Sequence, residues 1–247
     1  MPNIQKLNSR DHGDVGIIED ASEFAGTIYA PVMPNEFRSL QSCFPLLFTK
    51  HTDTEIVQPV ALFGLEAGEN LFIADGKWQS PYVPMLLQRG PLLIGTDPSD
   101  NGEDATRFVA INYDHSSVSR TEGIKLFTNE GENSPYLDRL ATLLEGIHQG
   151  AKQAEEFTQL LSHLDLISPL NFQIPLANGK TLELTGLHGI DDEKLHTADD
   201  GTIIELQRHG YLSSCFMMIA SLSQLKQLIH LKNQRLHGGI AASGEHD

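Results

Sequence analysis

Residues 59–95 read PVALFGLEAGENLFIADGKWQSPYVPMLLQRGPLLIG, and the order of strands and turns within them decides the fold class. The apolar run through Leu62 is a strand, 66–70 is a turn and 70–75 is a second strand. Asp75-Gly76 comes next, a pair that accepts the positive φ required at both central positions of a tight type I′ hairpin turn. After Ser80-Pro81, residues 82–90 form a short helix ending at Gly90, and 91–96 form another apolar strand. Strands joined by tight turns, with helices inserted irregularly, argue against a regular βαβ repeat and for an α+β fold.

Working outward, residues 27–32 (TIYAPV) have the β-branched and aromatic character of a strand. Pro34 opens a short helix with Phe37, Leu40 and Gln41 at helical spacing, because proline in the first turn forfeits no hydrogen bond. Pro45 ends that helix, 45–50 is a strand, and the loop 51–55 (HTDTE) leads into the strand of the central stretch. Downstream, 97–106 (DPSDNGEDAT) is a turn or exposed loop and 107–114 (RFVAINYD) a further strand. A β-rich half therefore covers 24–130, preceded by a polar, aperiodic flexible arm over 1–23.

The pattern changes at Ser134-Pro135, a capping hydroxyl followed by proline at the first helical position. Leu137, Leu140, Leu144, Ile147 and Ala151 share one face, and the stripe resumes through Ala154, Phe157, Leu161 and Leu164. This is a long helix or a kinked pair. The run LNFQIPLANGKTLELTGL then alternates on both sides of Asn178-Gly179, which predicts a hairpin over 170–187 with a two-residue type I′ turn. Helical segments at 191–198, 202–210 and 211–236 complete a helical half over 131–236, and 237–247 reads as a flexible tail. The two halves are expected to share one core across 24–236.

The chain has 247 residues, enough to bury a core without disulfides or metals holding it together. Seventeen basic against thirty-three acidic residues give a formal charge of −16, which disfavours nucleic acid and anionic membranes as partners, since both require clustered Lys and Arg. The N-terminal segment lacks the apolar core of a secretory signal, and no run approaches the ~18 apolar residues of a membrane span. A cytoplasmic protein without membrane insertion is expected. Cys43 and Cys215 read as two small buried hydrophobes rather than a disulfide.

Three segments carry a likeness to a known family. PVALFGLEAGENLFIADGKWQSPYVP, the upstream strand–helix–strand with NEFRSLQSCFPLLFT, and the late LHGIDDEKLHTADDGTIIELQRHGYLSSCFMMIASLSQLKQL together resemble the SapC family of bacterial proteins. The similarity runs in order over residues 26–232. It implies a bacterial protein and brings no established catalytic residues. The family's name comes from an association with paracrystalline surface layers, and its members are described near outer-membrane receptors and flavin-dependent halogenase-like proteins. The resemblance thus implies an accessory protein of a nutrient-uptake or modification system, binding a small molecule or a bacterial protein partner. At 87–92 (LQRGPL) the chain departs from the more basic and aromatic segment expected of the family.

Candidate chemistry is sparse. His188 and His196 are eight residues apart and His230 and His237 seven apart, and neither spacing is the i,i+4 pair of a helical zinc site, so no metal and no cofactor are expected. Asp114 and His115 end the strand 107–114 and are the residues an enzyme would use, with the carboxylate orienting the imidazole, although adjacent strand residues face opposite ways. Glu66, Glu69 and Asp75 flank the central hairpin and read as solvated turn acids. Trp78, the only tryptophan, stands four residues before Tyr82, and the two can line a concave ligand site or pack on the sheet. Arg89 is a candidate anion anchor there. The leading expectation is a binding protein that uses Trp78, Tyr82, Arg89, Asp114 and His115, with an enzyme and a surface-layer structural protein as alternatives; the sequence leaves the oligomeric state open.

Overall fold

A computed structural model describes residues 3–50, 56–96 and 107–243. The loops read at 51–55 and 97–106, and the last four residues of the tail, lie outside the described residues. Strand β1 (Ile4–Lys6), helix α1 (Ser9–His12) and strand β2 (Gly16–Ile17) occupy the segment read from sequence as an arm. Asn8 caps α1 by accepting from the Asp11 amide, and His12, Val15 and Ile17 are buried. Elements of two to four residues are too short to produce a periodic pattern, so the sequence shows only their polar intervals.

Next come β3 (Tyr29–Pro31), a 3-10 turn over Pro34–Glu36, α2 (Phe37–Leu40), β4 (Leu46–Lys50) and β5 (Val57–Leu62), with Pro34 opening and Pro45 following the short helical segment as expected. β6 (Ile73–Ala74) and β7 (Lys77–Trp78) enclose Asp75 and Gly76, whose φ values of 50° and 69° are those of a type I′ turn. The chain continues through α3 (Met85–Gln88), β8 (Leu92–Thr96), β9 (Arg107–Asn112), β10 (Val118–Ser119) and β11 (Ile124–Lys125).

α4 (Pro135–His163) is one continuous helix of 29 residues. Ser134 Oγ accepts from the Leu137 amide at 3.2 Å, the cap expected from Ser134-Pro135. β12 (Ile167–Pro175) and β13 (Thr181–Ile190) form the expected hairpin, but its turn differs from the two-residue type I′ reading. The Leu176 amide donates to the Lys180 carbonyl at 2.8 Å, which leaves a three-residue loop in which Gly179 alone has positive φ, 80°. Asn178 avoids positive φ and uses its side chain instead, accepting from the Lys180 amide at 3.1 Å. α5 (Asp192–His196) and α6 (Asp200–Arg208) are capped by Asp191 and Asp199. α7 (Leu212–Ser221), a 3-10 turn over Leu222–Gln224 and α8 (Leu225–Ser243) replace the single helix read over 211–236, and α8 extends into the segment read as a tail.

These helices and antiparallel sheets make the fold α+β. Contacts group the chain into two compact units, each drawn from two stretches. The sequence had suggested a division near 130. One unit comprises Met1–Asp20 and Met85–Gly150 and contains the sheets β1-β9-β8 and β10-β2-β11. Leu137, Leu140 and Leu144 of α4 meet Val15, Ile17 and Ile111 in its core. The other comprises Ala21–Pro84 and Ala151–Asp247 and holds the five-stranded sheet β12-β13-β4-β5-β3 and the β6-β7 hairpin. Its core is aromatic: Phe157 of α4 meets Phe37 edge-on at 5.9 Å and Phe48 at 6.1 Å, and all three are fully buried.

Candidate functional site

The residues singled out in the sequence fall in both units. In the second unit, β7 presents Trp78 to three phenylalanines, with ring centroids 5.3 Å from Phe63, 6.3 Å from Phe44 and 6.4 Å from Phe24. The Phe63 and Phe44 contacts are edge-on, the geometry that opposed ring quadrupoles favour. The Tyr82 hydroxyl donates to Glu36 Oε2 at 3.2 Å, while Glu36 Oε1 accepts from the Met33 amide at 3.2 Å. Tyr82 therefore steadies the buried carboxylate that caps the Pro34–Glu36 turn. Burial, and then the neighbouring Glu36 charge, push the phenol well above its ordinary pKa.

In the first unit, Arg89 Nη1 donates to the Leu92 carbonyl at 3.1 Å and its Nε is buried without a hydrogen-bond partner. Burial lowers its pKa. Asp114 accepts from the Asn3 amide at 2.8 Å, so its carboxylate holds the start of β1. His115 turns Nδ1 toward the Ser117 amide at 3.3 Å and the Ser117 hydroxyl at 2.9 Å, closing the turn before β10. Asp114 and His115 thus serve separate backbone segments.

A different feature of the second unit has the shape of a site. An open groove of about 720 Å³ runs between the start of β5 and the part of α4 that follows Gly150. Ile56, Val57 and Pro59 form the strand wall, and Ala151, Ala154 and Thr158 face them from the helix. Ile56 at the mouth of the groove is 63% exposed. Thr158 Oγ1 bonds back to the Ala154 and Glu155 carbonyls, both at 3.0 Å, which uses its polarity internally. Among the described residues Glu155 is the one ionisable side chain of the lining, and Gln159 Nε2 donates to its Oε1 at 3.1 Å. The wall is therefore mainly apolar with a single oriented carboxylate.

The sequence reading missed this groove because Ala151 and Ala154 continue the apolar stripe of α4 and look like core positions. Their small size is the one signal that distinguished them: alanines leave a hollow where Leu144 and Leu161 fill space. Among the described residues no group of three or more His, Cys, Asp or Glu stands close enough to hold a metal, and no helix is long and apolar enough to cross a membrane.

The α+β architecture accompanies a match to one family. The chain belongs to the SapC family, whose model matches residues 7–228. Neither the curated proteins nor the solved structures include a match to it.

Proposed function

We propose that this SapC-family protein is a binding protein that holds a small molecule or a segment of a protein partner in the groove between α4 and β5. It acts in the cytoplasm as an accessory to a nutrient-uptake or modification system, the setting implied by the family resemblance. The observation that carries the reading is the groove's lining, a mainly apolar hollow with one oriented carboxylate, a composition that suits a ligand site. Trp78 and Tyr82 have partners of their own, so the groove is the better candidate for a ligand that must displace water alone.

The test uses Nile red, an uncharged apolar dye. Its fluorescence rises with the wild-type protein, Ala154→Arg abolishes the rise by filling the groove with a charged side chain, and Trp78→Phe leaves it intact. A rise that Ala154→Arg leaves unchanged and Trp78→Phe removes places binding at the aromatic cluster and overturns the groove reading. Absence of any rise overturns it as well.

A further inference from the structure

The groove also borders a strand position that the described residues leave empty, and the identity of an occupant there rests on the binding function proposed for the groove. In the β4–β5 ladder the Leu62 amide donates to the Pro45 carbonyl at 3.0 Å. Hydrogen-bonded and non-bonded pairs alternate along an antiparallel ladder, so Val60 and Gln58 also turn their backbone groups toward β4. Ala61, Pro59 and Val57 then turn theirs the other way, toward the line of β3. β3 pairs with residues 60–62, and the Val32 amide extends the ladder by donating to the Pro59 carbonyl at 3.0 Å.

There the line stops. The register that pairs Pro31 with Val60 would next bring Pro34 opposite Val57, but Pro34 has no N–H and begins the Pro34–Glu36 turn. No described residue pairs with the Val57 N–H and C=O on that side. Val57 itself lines the groove, and α4 forms the facing wall. The site thus offers a backbone donor and acceptor, apolar ground on both sides and one carboxylate.

We propose that the groove receives an extended peptide segment of a partner protein, added as a short strand beside the first residues of β5. Its apolar side chains lie over Ile56, Ala151 and Ala154, and a lysine or arginine meets Glu155. Main-chain bonds to a sheet edge supply affinity in this mode, and side-chain pockets supply the register. The basic residue follows from charge complementarity: among the described residues the lining has one carboxylate and no cation, Gln159 already holds that carboxylate, and the whole chain has a formal charge of −16. A compact apolar molecule would leave the Val57 backbone pair without partners.

The experiment compares synthetic probes by fluorescence anisotropy and calorimetry at low salt. The first is a nine-residue peptide of alternating valine and threonine with a central lysine. The second replaces that lysine by glutamate, the third is N-methylated along one backbone edge, and the fourth is n-octylamine. The lysine peptide binds the wild type, and the glutamate peptide binds about fivefold more weakly, the scale of an exposed ion pair. Glu155→Gln removes that difference. N-methylation weakens binding about tenfold, the loss of one to two backbone hydrogen bonds, and Ala154→Arg abolishes binding of every probe. Octylamine binding as tightly as the peptide, or N-methylation without effect, overturns strand addition. If Nile red enters the groove and no peptide does, the peptide assignment fails while the binding reading stands; if neither binds, both fail.

Discussion

Lys232 Nζ, on α8, donates to Glu69 Oε2 at 2.8 Å, and Lys232 is among the few buried charged residues of those described. Glu69 turns its other oxygen to the Leu65 amide at 2.9 Å and the Glu66 amide at 3.1 Å, so one carboxylate organises the turn and receives the helix. Glu66 bonds the same ammonium. Arg235 donates to the Asn70 and Ile73 carbonyls, both at 2.8 Å, fixing the far side of the same loop. Burial opposes the charge on Lys232, but its hydrogen bonds to Glu66 and Glu69 outweigh that cost and hold its pKa above the ordinary lysine value.

Truncating this lysine leaves a largely buried carboxylate without its counter-ion. Lys232→Ala is expected to destabilise the protein by about 2 kcal/mol, within the range for buried hydrogen bonds to charged groups. Urea unfolding measures it, and a loss below about 0.5 kcal/mol, the size of an ordinary surface substitution, would show that the clamp is dispensable.

Ile17 is 4% exposed and belongs to the core of the first unit with Ile111 and Leu126. Ile17→Ala is expected to cost about 3 kcal/mol, as buried aliphatic truncations do. Hydrogen exchange at the Ile111 and Leu126 amides should accelerate in parallel. A freely moving arm would produce neither change, so unaltered exchange at both amides refutes the packing described for β2.

Alkaline pH provides an independent check on the core of the second unit. Burial pushes the Cys215 thiol from 9.0 up to about 12. The folded state therefore prefers the protonated thiol: its contribution is complete below pH 9 and is lost as pH rises from 9 to 12. The slope approaches about 1.4 kcal/mol per pH unit for one proton. Tyr211, pushed up to about 12 by burial and then by Glu156, acts in the same direction from pH 10. Unfolding free energies at pH 7, 9 and 10 should fall more steeply for the wild type than for Cys215→Ala. Parallel profiles would mean that the thiol titrates as it does in the unfolded chain.

Much of the fold was legible in short-range chemistry. Ser134-Pro135 starts α4, and Asp75-Gly76 makes a type I′ hairpin, because caps and tight turns depend on a few adjacent residues. Asn178-Gly179 shows the limit of such reasoning: the same dipeptide also suits a three-residue loop, and the pairing of Leu176 with Lys180 selected it. β1, β2, β10 and β11 were illegible because strands of two or three residues exist only through partners far away in the chain. The candidate site was less legible still. Trp78 and Tyr82 stood out by residue type, whereas the groove is made by alanines and by a strand edge whose neighbour turns away.

The sequence by itself determined the α+β class, the start of α4 at Ser134-Pro135 and the Asp75-Gly76 turn, which rest on propensities and spacings that act within a few residues, and its ordered segments carried the family. Tertiary structure alone decided that the central stretch contributes to two compact units, that Glu69 engages Lys232 across more than 160 positions, and that Val57 borders a hollow. Those relations depend on which surfaces meet when distant segments bury their apolar faces together, and no local pattern encodes that choice.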